Sequence, residues 1–341
     1  MEYRFLGNSG LQVSAIALGG WLTYGGHVEN ENTFLCMKAA YDIGINFFDC
    51  AECYSNGESE RIIGQAIKRY GWKRNDLVIS TKIYWGGDFG SNPNNVGLSR
   101  KHVVEGLNGS LERLGLDYVD LVYAHRPDRN TPIEETVRAF NHIIDQGKAF
   151  YWGTSEWSAD EIATAWRYAD KLGLIGPLME QPCYNMLDRG MVEREYRHLY
   201  ESPYKLGLTV FSPLHGGLLS GKYGDGIPSD SRFAHKESDP IIMSLNAAIE
   251  SKDSIWVNKI EMVKALRPIA ERLGISQTNL AYAWVLSNNN VSSAITGASK
   301  PQQIYDAVKA LDFVKLLDET ILREIDDVLG NRPSVEARRF T

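Results

Sequence analysis

Ile45-Asn46-Phe47-Phe48-Asp49-Cys50-Ala51-Glu52-Cys53-Tyr54 passes from an apolar, β-type run into a polar loop. Asp49 stands at the end of the run and Tyr54 follows five residues on. A carboxylate at a strand's C-terminal end and a phenol on the next loop are what the rim of a catalytic barrel uses. Two later apolar runs end on comparable groups. Lys82 closes Ile79-Ser80-Thr81-Lys82, and His125 follows Val119–Ala124. The reading is that these four side chains meet around one reacting carbonyl.

Working outward, the chain alternates short apolar runs with helical patterns. Tyr3–Leu6 and Leu11–Val13 flank Gly7-Asn8-Ser9-Gly10, a hairpin signal. Strands are expected over Ala15–Gly19, Asn46–Asp49, Leu77–Lys82, Val119–Ala124, Ala149–Ser155, Leu178–Gln181, Leu208–Ser212 and Val291–Thr296. Helices are expected over Thr33–Ile43, Glu58–Tyr70, a stripe from Val103 to Leu114 with Ser99 as N-cap, Ile133–Gln146, Ala159–Leu172 and Val192–Lys205. After the seventh strand the rhythm breaks across Pro213–Lys259, which is rich in Gly, Ser and Asp. Helices resume over Ile260–Leu273, Gln277–Leu286, Lys300–Ala310 and Asp318–Leu329.

Eight strands alternating with helices imply parallel pairing through right-handed crossovers. The expectation is a (β/α)8 TIM barrel, with an N-terminal β-hairpin and a long loop after strand 7, as one domain over residues 1–341. A doubly wound open sheet is the alternative. The count favours the barrel, and so do the residues recurring at the C-terminal end of nearly every strand, read as polar: Asp49, Lys82, His125, Ser155, Gln181, Ser212 and Gly297. An open sheet would gather its site at one switch point.

Composition narrows the function. The net charge is -7 with no basic block, which argues against nucleic acid or an anionic membrane as main partner. No apolar run approaches the ~20 residues of a membrane span. Met1-Glu2-Tyr3-Arg4 leads straight into a folded-looking segment, and no signal peptide is read. Four cysteines among 341 residues make no disulfide framework, so the expected setting is reducing, most simply the cytoplasm.

Singly, the rim residues have ordinary explanations: a cap for Asp49, packing for Tyr54, and for His125 a lone histidine after an apolar strand. A lysine ending an apolar strand is odder, and the signal is the four on one rim. Tyr54 is the candidate general acid. A free phenol has a pKa near 10, and an adjacent Lys82 ammonium is expected to lower it, with Asp49 holding that ammonium. His125 would donate to the carbonyl oxygen and orient it. These parts suit hydride transfer to an aldehyde or ketone, and no activated nucleophile for hydrolysis is evident.

Gly297-Ala298-Ser299-Lys300-Pro301 lies between a strand and a helix. Ser299 fits an N-cap, and free amides there make an anion site. Lys300 and Arg232 would add charge for a 2′-phosphate. Cys50-Ala51-Glu52-Cys53 has redox or half-zinc spacing, but with no second pair no metal site is read. Trp21 and Trp85, on rim loops, could shape an aromatic pocket.

At these residues the chain resembles the aldo-keto reductase superfamily, and within it the branch of potassium-channel β subunits and their microbial and fungal relatives. The resemblance runs from about Arg4 to Pro333. It is carried by Phe48–Tyr54, Ile79–Lys82, Ala124-His125-Arg126-Pro127-Asp128, Tyr151–Ser155, Ser212-Pro213-Leu214, Ser220-Gly221-Lys222-Tyr223 and Gly297-Ala298-Ser299. It implies NADP(H) bound at the barrel mouth and a catalytic tetrad of Asp49, Tyr54, Lys82 and His125. It further implies that Gly20 and Trp21 form the first cofactor loop, that Ser155 and Gln181 hold the carboxamide, and that Phe211 stacks on nicotinamide. Ser212, Pro213, Leu214, Gly216 and Lys222 match the pyrophosphate loop; Arg232, Gly297, Ser299, Gln303 and Asp306 match the adenosine end.

The chain departs from that branch in places. His125 stands where channel β subunits usually carry Asn, which points to a working reductase. Glu156 replaces the usual Arg, and Ala307 an Asn. No long N-terminal extension precedes the barrel. The expectation is an NADP-dependent reductase acting on a small-molecule carbonyl substrate. The alternative is a channel β-subunit-like, NADP-binding regulatory protein with residual activity and a membrane-channel partner. The branch implies a homotetramer.

Overall fold

The strands form where runs of apolar residues can be buried on both faces, as a closed parallel sheet requires. In the computed structural model these are β3 (Ile16–Gly19), β4 (Phe47–Asp49), β5 (Val78–Ile83), β6 (Val119–Ala124), β7 (Ala149–Thr154), β8 (Met179–Glu180), β9 (Gly207–Val210) and β10 (Val291–Thr296). They close in the order β10-β3-β4-β5-β6-β7-β8-β9, all neighbours parallel. This is the expected eight-stranded barrel. The structure describes residues 1–21, 23–27, 30–87, 92–224, 226–228, 243, 246–247, 250–251 and 253–334.

The described residues fall into two compact units. The first, Met1–Pro182 with His198–Phe211 and Asn290–Tyr305, contains the whole barrel. The second comprises Cys183–Arg197, Ser212–Asn289 and Asp306–Thr341.

Within the first unit, β1 (Tyr3–Phe5) and β2 (Gln12–Ser14) pair antiparallel. Leu6 and Val13 from this hairpin join Ala17, Phe47, Val78, Leu121, Met179 and Ile295 in one buried cluster. The approach is close enough to demand glycine on both sides. A Cβ on Gly207 would lie 2.4 Å from the Gly7 amide nitrogen, and one on Gly7 would lie 2.7 Å from the Leu178 carbonyl oxygen.

Helices α1 (Asn30–Asp42), α2 (Glu58–Tyr70), α3 (Arg100–Leu114), α4 (Ile133–Asp145) and α5 (Ala159–Leu172) connect successive strands. Ser99 caps α3 by accepting from the His102 amide, and Ser158 and Glu161 form a capping box on α5. Left-handed Gly71, Gly115 and Gly173 end α2, α3 and α5.

Two helical expectations are corrected. Val192–Lys205 is not one helix but a π turn, Met191–Glu195, and a 3-10 turn, Arg197–Tyr200. Pro203 lacks an amide hydrogen and disfavours helical geometry in the residue before it, so the pattern cannot run to Lys205. In the second unit, the helix expected from Ile260 begins at Ser254, behind Asp253, which accepts from the Ile255 and Trp256 amides. That helix, α6 (Ser254–Ala265), stops at Leu266, and α7 (Arg267–Leu273) restarts with Pro268 in its first turn. Next come α8 (Gln277–Ser287), α9 (Pro301–Lys309) and α10 (Glu319–Leu329).

The Gly7–Gly207 approach gives a stability test. Gly207→Ala should lower stability by about 2 kcal/mol or more, because backbone must move to admit the methyl. Gly10→Ala, which meets nothing within 4 Å, should stay within about 0.5 kcal/mol. Urea denaturation midpoints compare the two.

Candidate active site

Register places the polar strand ends side by side. Gly19 pairs with Asp49, Asp49 with Ser80, Lys82 with Tyr123, Ala124 with Thr154 and Thr154 with Glu180. Parallel strands all present their C-terminal ends to one mouth, so residues far apart in sequence converge there.

Lys82 is wholly buried. Its ammonium donates to Asp49 Oδ2 at 2.6 Å, the Cys50 carbonyl at 2.8 Å and the Tyr54 hydroxyl at 3.3 Å. Asp49 also accepts at Oδ1 from Ser80 Oγ at 2.7 Å and Gln181 Nε2 at 3.1 Å. Every bond to these charges comes from within the fold, as a buried pair needs.

Tyr54 is aimed by its backbone. Ser55, Asn56 and Gly57 after it are all left-handed, with φ of 50°, 53° and 82°. Such a conformation costs on the order of 1 kcal/mol for each non-glycine residue. It turns the chain sharply between the phenol and the start of α2. The His125 ring meets the Tyr54 ring edge-on, centroids 5.8 Å apart. Cys53 Sγ lies 4.0 Å from His125 Nδ1, so a thiol donating there leaves Nε2 as the protonated nitrogen.

Protonation follows burial more than charge. Burial pushes the Tyr54 phenol up to about 12, against the lowering effect of Lys82 and with Asp49 reinforcing it. The expected acidified phenol is therefore corrected: the ammonium is in place, but desolvation of the phenolate outweighs it. Burial opposes the Lys82 charge too, yet Asp49 and Tyr54 together hold that ammonium above its ordinary range. Burial, then the charges of Lys82 and Arg126, pushes His125 well below the usual histidine value. At neutral pH the site holds a neutral phenol, a fixed ammonium and a neutral imidazole. Two donors beside a cation can receive negative charge developing on an oxygen.

Beyond the four, Ser155 and Gln181 are buried at the ends of β7 and β8. The Ser155 hydroxyl donates to the Gln181 carbonyl at 2.9 Å. Gly20 donates its amide to the Asp49 carbonyl at 2.9 Å. Trp21 and Phe211 are half-buried, and Gly297 is exposed. The helix start after Gly297 differs from expectation. The Ser299 and Lys300 amides are not free but donate to Gln303 Oε1 at 2.8 and 3.2 Å, while the Ser299 hydroxyl also donates to that oxygen. Gln303 thus satisfies the amides that Ser299 was expected to leave for an anion. In the second unit, Ser212, Leu214 and Gly216 are half-buried, Pro213 is buried, and Lys222 and Asp306 are exposed. Arg232 lies outside the described residues.

Buried carboxylates besides Asp49 escaped the sequence reading, Glu52, Glu60 and Glu180 among them. Glu52 accepts from the Tyr84 and Gly86 amides at 2.7 and 2.9 Å. Glu60 accepts from Thr81 Oγ1 and Arg113 Nε. Glu180 accepts from Thr154 Oγ1. Cys50 and Cys53 are buried thiols, and burial pushes Cys53 up to about 12, which makes a redox nucleophile of it unfavourable. Among the described residues, no group of three or more His, Cys, Asp or Glu is placed to hold a metal ion.

With this geometry in view, the comparisons with known proteins are direct. The Aldo/keto reductase family matches residues 15–329. A protein of Oryza sativa subsp. japonica named "Probable voltage-gated potassium channel subunit beta" is 50% identical over 334 residues, 98% of each chain. One of Arabidopsis thaliana with the same name is 49% identical, again over 98% of each chain. The chain belongs to the aldo/keto reductase family. Among the described residues, no helix is long and apolar enough to cross a membrane.

Glu180 gives a pH test of the barrel itself. Burial raises its carboxyl from 4.5 to about 8. A group raised on folding stabilises below its unfolded pKa, and that contribution is lost as pH rises through the folded value. The melting temperature should fall between about pH 5 and 8 and level off above that, and Glu180→Gln should remove part of that fall in a thermal melt.

Proposed function

We propose that the protein reduces aldehydes or ketones to alcohols with NADPH, with Asp49, Tyr54, Lys82 and His125 as its catalytic residues. The observation that carries this reading is the buried triangle of Lys82, Asp49 and the Tyr54 hydroxyl, with His125 edge-on to the phenol. Membership of the aldo/keto reductase family supports it.

NADPH, when bound, supplies the hydride. The residues present fit such a cofactor. Ser155 and Gln181 offer polar groups at the strand ends, and Phe211 offers an aromatic face. In the second unit, the Leu214 amide has no partner among the described residues, as a phosphate-binding loop would have it. On the resemblance, Gly20 and Trp21 line the nicotinamide end. Ser212, Pro213, Leu214, Gly216 and Lys222 serve the pyrophosphate. Arg232, Gly297, Ser299, Gln303 and Asp306 serve the adenosine end, where Arg232 favours NADPH over NADH. Gln303 would have to release the Ser299 and Lys300 amides for them to meet a phosphate.

The protein's own residues do the rest. His125 Nε2 donates to the carbonyl oxygen and polarises it. Tyr54 gives its proton to that oxygen as charge builds there, and Lys82 stabilises the phenolate left behind. Asp49 keeps Lys82 aimed. A phenol near 12 suits this direction, because an alkoxide is far more basic and takes the proton downhill. In the reverse direction the same phenol is a poor base.

The names of the rice and Arabidopsis relatives favour a second reading: a cofactor-binding subunit of a membrane channel, reducing carbonyls slowly. A homotetramer and a cytoplasmic setting belong with both readings.

A carbonyl panel followed by loss of NADPH absorbance separates them. Rapid multiple turnover of 4-nitrobenzaldehyde supports the enzyme; a slow single turnover with NADP retained supports the subunit. Tyr54→Phe should lower kcat at least a hundredfold with NADPH affinity within about threefold. Full activity in that variant removes Tyr54 as the acid. Reduction should be flat from pH 6 to 9, since Tyr54 stays protonated and His125 stays neutral throughout. Alcohol oxidation should climb about tenfold per pH unit as phenolate forms. A reductive rate that falls between pH 7 and 9 contradicts the assignment.

A further inference from the structure

Arg126 follows His125 at the end of β6 and is half-buried. Its Nη1 donates to the His125 carbonyl at 2.5 Å and to Ser155 Oγ at 3.2 Å. Those two bonds use both Nη1 hydrogens. The Nε–H and the two Nη2–H groups have no hydrogen-bond partner among the described residues, and no carboxylate there forms an ion pair with this guanidinium. Nε and Nη2 form one edge of the fork, two parallel donors spaced for the two oxygens of a carboxylate.

The nearest acidic candidate in sequence is already engaged. Asp128 accepts from the Leu98 amide at 2.8 Å, the Asn130 amide at 3.0 Å and Thr131 Oγ1 at 2.7 Å. It braces the loop after β6 and does not neutralise Arg126. The guanidinium's field reaches both flanks of the mouth. It helps lower His125, and it opposes the rise that burial and then Asp128 give the neighbouring Tyr84 phenol. Tyr84 and exposed Trp85 stack edge to face, centroids 4.6 Å apart, at the end of β5. A cation with an open bidentate edge therefore follows the imidazole that would polarise the carbonyl, and the Tyr84–Trp85 pair lies at the end of the adjacent strand. A half-buried charge left without a counterion costs free energy that an incoming anion recovers.

We propose that Arg126 is a specificity-determining residue that receives a carboxylate on the carbonyl substrate, so that the preferred substrates are short oxo acids, not neutral aldehydes. This rests on the reductase reading above and extends it to a substrate class. Lysine could not replace the interaction fully, because a point charge lacks the paired donors.

The test compares 3- and 4-carboxybenzaldehyde with their methyl esters, which keep the ring and the position of the substituent but lack the charge; the ester withdraws electrons more strongly, so intrinsic reactivity works against the acid. In the wild type, kcat/KM for one of the acids should exceed that for its ester at least tenfold, the value of one good charged hydrogen-bonded contact. Arg126→Met should bring that ratio to within about twofold, and Arg126→Lys should fall between. Raising NaCl from about 50 to 500 mM should raise KM for the acid and not for the ester; this arm needs no variant. Benzoate should bind the NADP-loaded wild type by isothermal titration calorimetry and fail to bind Arg126→Met, a readout independent of turnover. A propanal phosphate arm separates carboxylate from phosphate: equal or greater preference for the phosphate overturns the oxo-acid assignment. A wild type that reduces acid and ester equally, with no salt effect, overturns the role of Arg126 while leaving the reductase standing. Turnover of none of these substrates, with benzoate still bound through Arg126, removes the reductase reading and keeps the carboxylate site. Weaker NADPH binding in Arg126→Met with an unchanged acid-to-ester ratio assigns the residue to the cofactor and overturns the proposal.

Discussion

The ion pair between Lys82 and Asp49 is what the mouth of the barrel is built around. Placing either charge alone in that interior would cost several kcal/mol. Together they are tolerable only because each remaining lone pair and proton finds a partner: Ser80 and Gln181 on the carboxylate, the Cys50 carbonyl and the Tyr54 hydroxyl on the ammonium. These partners come from β5, the loop after β4 and the end of β8. The pair therefore ties separate strands at one point and sets where the phenol stands. Replacing one member would strand the other and loosen that junction.

Burial also decides the protonation of the groups around the pair. A dry pocket makes phenolate and imidazolium both unfavourable, and the adjacent ammonium moderates only the first. The result is a site stocked with neutral donors near a permanent cation. Such a set is matched to an oxygen becoming negative, and it is ill matched to abstracting protons. The direction of chemistry is thus written in the solvation of the pocket as much as in which residues line it.

Much of this was legible from the residues. Apolar runs marked all eight barrel strands, most of them with polar residues at their C-terminal ends. Lys82 stood out because a lysine at the end of an apolar strand has few structural excuses, and Asp49 because it shared that rim. Ser80 did not, since a hydroxyl inside a strand reads the same whether or not it meets a carboxylate. The start of α6 was hidden because Ile255 and Val257 are exposed, leaving no apolar stripe, although Asp253 was a usable cap signal. The direction of the Tyr54 shift was beyond reach, because burial depends on distant segments while the Lys82 neighbour could be guessed locally. Arg126 was visible only as a motif letter. Its open edge becomes apparent once Asp128 is seen spent on its own loop.

The hairpin at the N-terminus has a consequence for traffic. With Gly7 and Gly207 pressed backbone to backbone and the interior filled by Phe47, Leu121 and Met179, the cylinder is stoppered at its base. It is a cul-de-sac. Among the described residues that end is closed, so Tyr54 and His125 are approached from the opposite end, where the barrel strands finish.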